Sequence, residues 1–253
     1  MRRNVFSVLI WTGIGLLILI WLPVLALVRL FDRDPVRYRT GKLFRKLGLA
    51  ISHINPYWNI SIEGETDIVD RTPYIIVSNH LSNADIPLIS NLPWEMKWVA
   101  KKELFDIPVL GWMMSWSQDI SVDRKSSNKR AGVFKQCSFY LENNCSVMFF
   151  PEGTRSRDGK LKRFSIGAFD LAIQKGVPIL PLVIDGTQEC LPKKTWQFTK
   201  EAYVKLKILP PVSTAQLSAG DSFGLMERVR GEIAAQLAHW REEPMSKIDA
   251  TME

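Results

Sequence analysis

Two short stretches of this chain hold residue types suited to acid–base and anion chemistry. The first is "YIIVSNHLSNADIPLI", residues 74 to 89, in which an apolar run ends in Ser78, Asn79 and His80, and Asp85 follows five positions on. Histidine changes charge near neutral pH, and it acts as a general base when a carboxylate holds one ring nitrogen and leaves the other free. Five helical steps turn a side chain by about 500°, so positions 80 and 85 do not share a helix face. They meet if His80 lies in a loop and Asp85 in the first turn of a helix. "SNAD", Ser82 to Asp85, has the capping-box spacing that starts such a helix. A plainer reading stays open, in which Asp85 only caps the helix and His80 bonds to backbone.

The second stretch is "FFPEGTRSRDGKLKRF", residues 149 to 164, where Arg155, Arg157, Lys160, Lys162 and Arg163 crowd one turn around Glu152. Guanidinium presents a planar fork of donors, so a turn of this kind after a strand receives phosphate or carboxylate well. The alternative is a solvated basic loop. No G-x-x-x-x-G-K-[ST] occurs, which argues against a phosphate-loop nucleotide site. A third region, residues 94 to 124, gathers Trp94, Trp98, Trp112 and Trp116 with Met113 and Met114. That surface either faces lipid or an acyl chain, or is core. Lys101, Lys102 and Arg124 flank it, and neighbouring parallel strands would bring them to the edge that carries the basic loop.

These residues need a scaffold, and from about residue 60 the pattern alternates between strand and helix. "WNISIEG" reads as a strand. "YIIVSN", "CSVMFF" and "VPILPLVI" are continuous apolar runs, as in strands covered on both faces. "KWVAKKE", "DISVDR" and "AYVKLKILPPV" are further strand candidates. "NKRAGVFKQCSFYLENN" and "FSIGAFDLAIQKG" read as helices, the second stopped by Gly176. "LMERVRGEIAAQLAHW" closes the chain as an amphipathic helix, with Val229, Ile233, Leu237 and Trp240 on one side. The expected fold is a single α/β domain with a mostly parallel central sheet flanked by helices, over residues 59–243. Before it lies a membrane-associated helical start, residues 1–58, and after it a polar tail, residues 244–253.

The start is distinctive. Residues Val5 to Val28 carry no charge. As a helix the run reaches roughly 36 Å, enough to cross a hydrocarbon core. Its length, and the poor cleavage site in "ALVRLFDRD", favour a retained anchor over a signal peptide. Gly13, Gly15 and Pro23 leave a bent or re-entrant helix open. Basic residues follow the run from Arg29 to Lys46 in excess of those before it, which places the large domain on the cytoplasmic side of the cytoplasmic membrane. In "TGKLFRKLGLAISHINPYW", Leu43, Phe44, Leu47, Ile51 and Ile54 recur at helical spacing beside Lys42, Arg45 and Lys46. This suits a basic helix lying on anionic lipid, or an amphipathic helix packed on the domain. The net charge of +7 fits a phosphorylated or anionic-lipid partner, and the anchor favours these over nucleic acid. The three cysteines, Cys137, Cys145 and Cys190, form no CxxC pair, which speaks against a disulfide framework or a zinc site.

Taken together, the motifs resemble those of the glycerolipid acyltransferases of the bacterial lysophosphatidate acyltransferase type. "NHLSNAD" matches N-H-x-x-x-x-D through Asn79, His80 and Asp85. "KKELFDIPVLGW" with "DISVDR" is similar to the second motif through Lys101, Glu103, Leu104, Pro108, Gly111 and Arg124. "FPEGTRS", Phe150 to Ser156, matches the third, and "VPILPLVI" is similar to the fourth. The resemblance spans about residues 60 to 190. It implies transfer of a fatty acyl group from acyl-CoA or acyl carrier protein to the sn-2 hydroxyl of 1-acyl-glycerol-3-phosphate, giving phosphatidic acid, with no cofactor and no metal. It implies His80 as base, Asp85 as its orienting group, and Asn79, Lys101, Arg124, Glu152, Gly153, Thr154 and Arg155 as substrate-binding residues. Membrane lipids, the lysophosphatidate acceptor and the acyl donor are the implied partners. The sequence departs from the family at Gln118 and Asp119, where relatives often carry glycine. It departs again at Ser165, where a basic residue often follows the third motif. Another lysophospholipid or a lyso-aminolipid is the rival acceptor, and a non-catalytic module binding anionic lipid is the rival of a different class.

Overall fold

The computed structural model describes residues 2–64, 71–123, 130–192 and 194–251. Arg124, expected at the site, lies outside them. Helix α1 (Arg2–Phe31) and helix α2 (Tyr38–Ser52) precede the sheet. The sheet strands are β1 (Trp58–Gly64), β2 (Ile75–Ser78), β3 (Met96–Lys101), β4 (Ile120–Val122), β5 (Ser146–Phe149), β6 (Ile179–Asp185) and β7 (Ala202–Ile208). Between them run α3 (Asp85–Ile89), α4 (Lys102–Phe105), α5 (Leu110–Trp116), α6 (Arg130–Glu142), α7 (Gly167–Lys175) and α8 (Thr187–Cys190). Helices α9 (Ser222–Arg241) and α10 (Met245–Ile248) follow the last strand.

The seven strands lie in the order β1-β7-β6-β2-β5-β3-β4, and only β6 and β7 pair antiparallel. The five strands from β6 to β4 are therefore parallel, and their carboxyl ends share one edge. Alternation assigns the faces. Ile75, Val77, Val147, Ile179 and Val183 join residues of α6, α7 and α9 in one core. Ile76, Met148, Leu180, Leu182 and Ile184 join Leu88 and Ile89 of α3 in the other. Strands covered on both faces become the continuous apolar runs seen in the sequence. On α9, Val229, Ile233 and Leu237 are fully buried, as their spacing predicts.

The apolar face of α2 is covered by protein. Leu43, Phe44, Leu47 and Ile51 pack with Leu25 and Trp21 of α1 and Met113 of α5. The charge expected to meet lipid at Arg45 is turned inward. Arg45 is buried, and its Nη2 donates to both carboxylate oxygens of Asp119 at 2.7 Å. Asp119 also accepts the Trp98 amide at 3.0 Å. Glu95 and Lys97 complete a buried group of four charges, with Lys97 Nζ donating to Glu95 Oε1 at 2.8 Å and to Ser117 O at 2.7 Å. Burial pushes the Glu95 carboxyl up, against the opposing pull of Lys97 and Arg45. Gly41 makes the close approach of α2 possible, because a Cβ there would lie 1.8 Å from Glu95 Oε1. Asp119, a departure from the family pattern, thus ties α2 to β3, and Gln118 beside it takes a φ of 58°, a conformation that suits glycine.

The Trp-rich region divides between core and surface. Trp94, Trp98, Met113 and Met114 are buried, while Trp112 on α5 is 53% exposed. The segment expected to be a polar tail is docked instead: Ile248 is fully buried, and Leu161 and Asp249 form an isolated β-bridge.

The buried charges make a direct prediction. Arg45→Ala leaves Asp119 without its bidentate partner and is expected to cost about 3–5 kcal/mol of stability, read from the denaturation midpoint of the detergent-solubilised protein. A cost below about 1 kcal/mol, the range of an exposed pair, would show that the cluster does not clamp α2.

Candidate active site

His80 and Asp85 meet at the carboxyl end of β2. The β2–β5 register pairs Val77 with Phe149, and continuing it puts His80 level with Glu152. His80 Nδ1 lies 2.6 Å from Asp85 Oδ2. A carboxylate only accepts, so Nδ1 carries the proton and Nε2 is left free to accept one. The ring stacks on Phe150 at 3.9 Å between centroids, with planes 16° apart. Phe150 in turn packs against Trp98 at 5.9 Å. The imidazole is thus held by one hydrogen bond and one ring face, and its side chain remains 16% exposed.

Asp85 caps and orients at once. Its Oδ2 accepts the amides of Leu81 at 2.8 Å and Ser82 at 3.0 Å as well as the His80 ring. The reciprocal half of the expected capping box shifts by one residue, since Ser82 Oγ accepts the Ala84 amide, and α3 opens at Asp85 itself. Oδ1 accepts the hydroxyl of Thr187, a buried residue that follows β6. Thr187 escaped the sequence reading because it lies 102 positions from Asp85. The available signal was a hydroxyl residue directly after Asp185 and Gly186 at the end of an apolar strand.

Asn79 is placed elsewhere than the sequence suggested. Its Nδ2 donates to Ile184 O at 2.8 Å, and its Oδ1 accepts the Ile184 amide at 2.9 Å. The side chain mimics one more backbone pair between β2 and β6 and is buried. It clamps the strand end.

The basic loop is stitched to the histidine. Glu152 Oε1 accepts the His80 amide at 2.8 Å, and the Ser156 amide donates to His80 O at 2.7 Å. Glu152 Oε2 accepts the Lys162 amide at 3.3 Å, closing the loop on itself. Gly153 makes the turn with a φ of 70° and a 2.9 Å bond from its amide to Phe150 O. Lys162 is a support: its Nζ donates to Thr154 Oγ1 and Arg155 O, both at 2.9 Å. Thr154 therefore holds the loop through Lys162. The guanidinium of Arg155, half-buried and one residue from the Ser156 clamp, has no hydrogen-bond or ion-pair partner among the described residues. Arg157 and Arg163 of the same loop likewise have no such partner among the described residues, but both are exposed, and Arg155 is the half-buried fork. Lys101 ends β3 and is exposed, and extending the Trp98–Met148 register puts it level with Pro151, at the start of the same loop. The arrangement offers a base, an orienting carboxylate and adjacent unpaired cations, which suits deprotonation of a hydroxyl on an anionic molecule.

Burial raises Glu152 from an ordinary 4.5 to about 7, although the His80 and Lys162 amides favour its ionised form. A carboxyl raised on folding stabilises fully below its unfolded value, and that contribution is lost as pH rises from about 4.5 through 7. Glu152→Gln removes this titration. Its stability relative to the parent protein is therefore expected to improve between pH 5 and 8, by on the order of 3 kcal/mol at most. Thermal melts at the two pH values check this, and a difference that does not change with pH would refute it.

Comparison with known proteins follows the same lines. The family described as Acyltransferase matches residues 59–185. A chloroplastic 1-acyl-sn-glycerol-3-phosphate acyltransferase of Arabidopsis thaliana is 34% identical over 211 residues, 83% of this chain and 59% of its own. The alpha 1-acyl-sn-glycerol-3-phosphate acyltransferase of Mus musculus is 33% identical over 199 residues, covering 77% of this chain and 70% of its own. The chain thus spans only about three fifths of the chloroplastic relatives' length. The crystal structure of the 1-acyl-sn-glycerophosphate acyltransferase PlsC from Thermotoga maritima superposes with a TM-score of 0.74 at 27% identity, over 92% of this chain and 97% of that one.

Proposed function

The chain belongs to the acyltransferase family, and we propose that it acylates the sn-2 hydroxyl of 1-acyl-glycerol-3-phosphate from an acyl thioester, giving phosphatidic acid. The observation that carries this reading is the tie between the two halves of the site. Glu152 and Ser156 bind the backbone of His80 from both sides, so the base and the unpaired Arg155 belong to one rigid edge. The relatives named for 1-acyl-sn-glycerol-3-phosphate support that acceptor.

In this reading the acceptor phosphate sits on Arg155 with Lys101 beside it. Nε2 of His80 takes the proton of the acceptor hydroxyl as its oxygen attacks the thioester carbonyl. The tetrahedral centre then collapses, the carbon–sulfur bond breaks, and the imidazolium returns the proton to the leaving thiolate. The products are an ester and a free thiol. Asp85 stabilises the imidazolium that forms and keeps the ring in the productive tautomer. General base catalysis supplies about 10²–10⁴-fold, and positioning supplies much of the remainder. The donor class is an acyl thioester, with acyl-CoA and acyl carrier protein both compatible with this scheme. Helix α1 seats the domain at a membrane. It is long and apolar enough to cross one, and Val5, Leu9, Leu16, Ile20, Val24 and Leu27 leave one side of it exposed. The domain faces the cytoplasm, on the flanking charge.

Purified protein in detergent, offered a panel of lyso-acceptors with each donor, tests the reading through release of free thiol. Lysophosphatidate is the expected acceptor. A preference for a lysolipid without a phosphate monoester would overturn it. His80→Ala is expected to lose the activity within a folded protein, and Asp85→Asn to lose less. Near-normal turnover by His80→Ala would end the mechanism. Arg155→Ala should raise the acceptor KM by roughly 10- to 150-fold, the worth of a charge-assisted pair. Arg155→Lys should raise it less, and the donor KM should stay put.

A further inference from the structure

The segment 244–251 is built into the back of the basic loop. The Leu161 amide donates to Ile248 O at 2.7 Å, and the Ala250 amide donates to Leu161 O at 3.0 Å. Leu161 and Ile248 are both buried at this bridge. Arg230, a buried residue of α9, joins the two segments from inside. Its Nε donates to Lys162 O at 3.1 Å, while its Nη2 donates to Asp249 Oδ1 and, at 2.7 Å, to Thr251 Oγ1. Asp249 Oδ1 also accepts the Thr251 amide at 2.8 Å. Burial would raise the Asp249 carboxyl, yet the bonds from Thr251 and Arg230 outweigh it and hold the group below its ordinary range.

Lys162 is the residue this assembly grips, and Lys162 is also what shapes the front of the loop. Its amide closes on Glu152, and its Nζ binds Thr154 Oγ1 and the carbonyl of Arg155. A continuous run of buried or half-buried polar contacts therefore leads from Asp249 through Arg230 and Lys162 to the backbone of Arg155. This run meets the backbone of His80 at Glu152 and at the Ser156 amide, whereas the His80 ring is held separately by Asp85. The rear of the loop is further pinned where Arg241 donates to Gly159 O at 2.9 Å and pairs with both carboxylate oxygens of Asp185.

We propose that segment 244–251 is a strap that sets the position of Arg155, with Arg230 and Asp249 as positioning residues for the anionic headgroup of the acceptor. The inference rests on the reading of Arg155 as the headgroup receiver. A two-pronged contact is sensitive to displacement, and a shift of about 1 Å can lower the rate 10²-fold. Loosening the strap frees the part of the loop that Lys162 holds, at Thr154 and Arg155, more than the His80 ring, which Asp85 fixes with the Leu81 and Ser82 amides and Thr187. The consequence falls on acceptor binding and spares the donor.

The test uses full-length protein in detergent with lysophosphatidate as acceptor and acyl-CoA as donor. Asp249→Ala removes the carboxylate that Arg230 grips, and Ala250→Pro removes the amide that reaches Leu161 while leaving the Asp249 carboxylate in place. Both should raise the acceptor KM by roughly 10- to 100-fold and leave the donor KM unchanged. Asp249→Asn, which keeps an oxygen for Arg230 and Thr251, should fall between Asp249→Ala and the parent protein. Hydrogen exchange at the Leu161 amide should speed up in Asp249→Ala and Ala250→Pro. Equal changes in both KM values, or a fall in kcat alone, would mean general destabilisation and overturn the strap. So would an unchanged acceptor KM, whether or not Leu161 exchanges faster. Arg155→Ala is measured in parallel. If it moves the acceptor KM and the strap variants do not, the strap fails and the headgroup reading stands. If it does not, the headgroup reading fails and the strap's role falls with it.

Discussion

A buried carboxylate needs donors for its lone pairs, and the site is organised around meeting that need at Asp85. Four donors converge on it: the His80 ring, the amides of Leu81 and Ser82, and the Thr187 hydroxyl. They come from the loop after β2 and the start of α8. Unpaired, this charge would be strongly unfavourable in the interior. Paired as it is, it fixes the tautomer of His80, opens α3 and binds the end of β6 to the loop after β2. Orientation of the His80 ring and initiation of the helix are two results of one electrostatic requirement.

Glu152 plays the same part between loops. Its oxygens accept two backbone amides, one from His80 and one from Lys162, so the histidine loop and the basic loop share a single side chain. Because these acceptors bind backbone, the contact fixes position whatever the neighbouring side chains do. Lys162 then works against its apparent character. Within a cluster of cations it is occupied by the loop's own oxygens, and this leaves the neighbouring Arg155 available. In a basic run the charge count matters less than which cation lacks an internal partner.

At the amino ends of β3 and β4 the charges serve attachment. Arg45, Glu95, Lys97 and Asp119 lie buried where α2 crosses β3, and Gly41 lets the helix come close enough for them to meet. Removing one partner of such a group leaves an uncompensated buried charge, so the four hold one another in place. The apolar face of α2 meets α1 and α5. Helix α1 also touches the catalytic domain near its beginning, where Trp11 Nε1 donates to Trp196 O at 2.8 Å and Ser7 Oγ accepts the Phe198 amide at 3.0 Å. The apolar helix is therefore joined to the domain at both ends of its packed face.

Whatever depends on local pattern was legible in the sequence. Apolar runs such as "YIIVSN" and "VPILPLVI" marked doubly covered strands, because burial on both faces removes the alternation that a half-exposed strand shows. The single α/β domain followed from strands alternating with helices. His80 with Asp85, and the cationic turn around Arg155, each lie within one short segment, so their types and spacing announced them. Contacts between distant segments were decided only by the tertiary structure. Asn79 sits inside the clearest motif, yet its amide pairs with Ile184 because the register of β2 against β6 brings that backbone opposite it. Arg45 carries the periodicity of a lipid-facing cation and turns inward because Asp119 waits there. Arg230 and Asp249 have no local signature, and Thr187 has only that of a hydroxyl after an apolar strand. Their roles arise from hydrogen bonds that close only after the sheet has aligned its strand ends, and a linear pattern records which groups a chain offers but not which of them will be left facing each other.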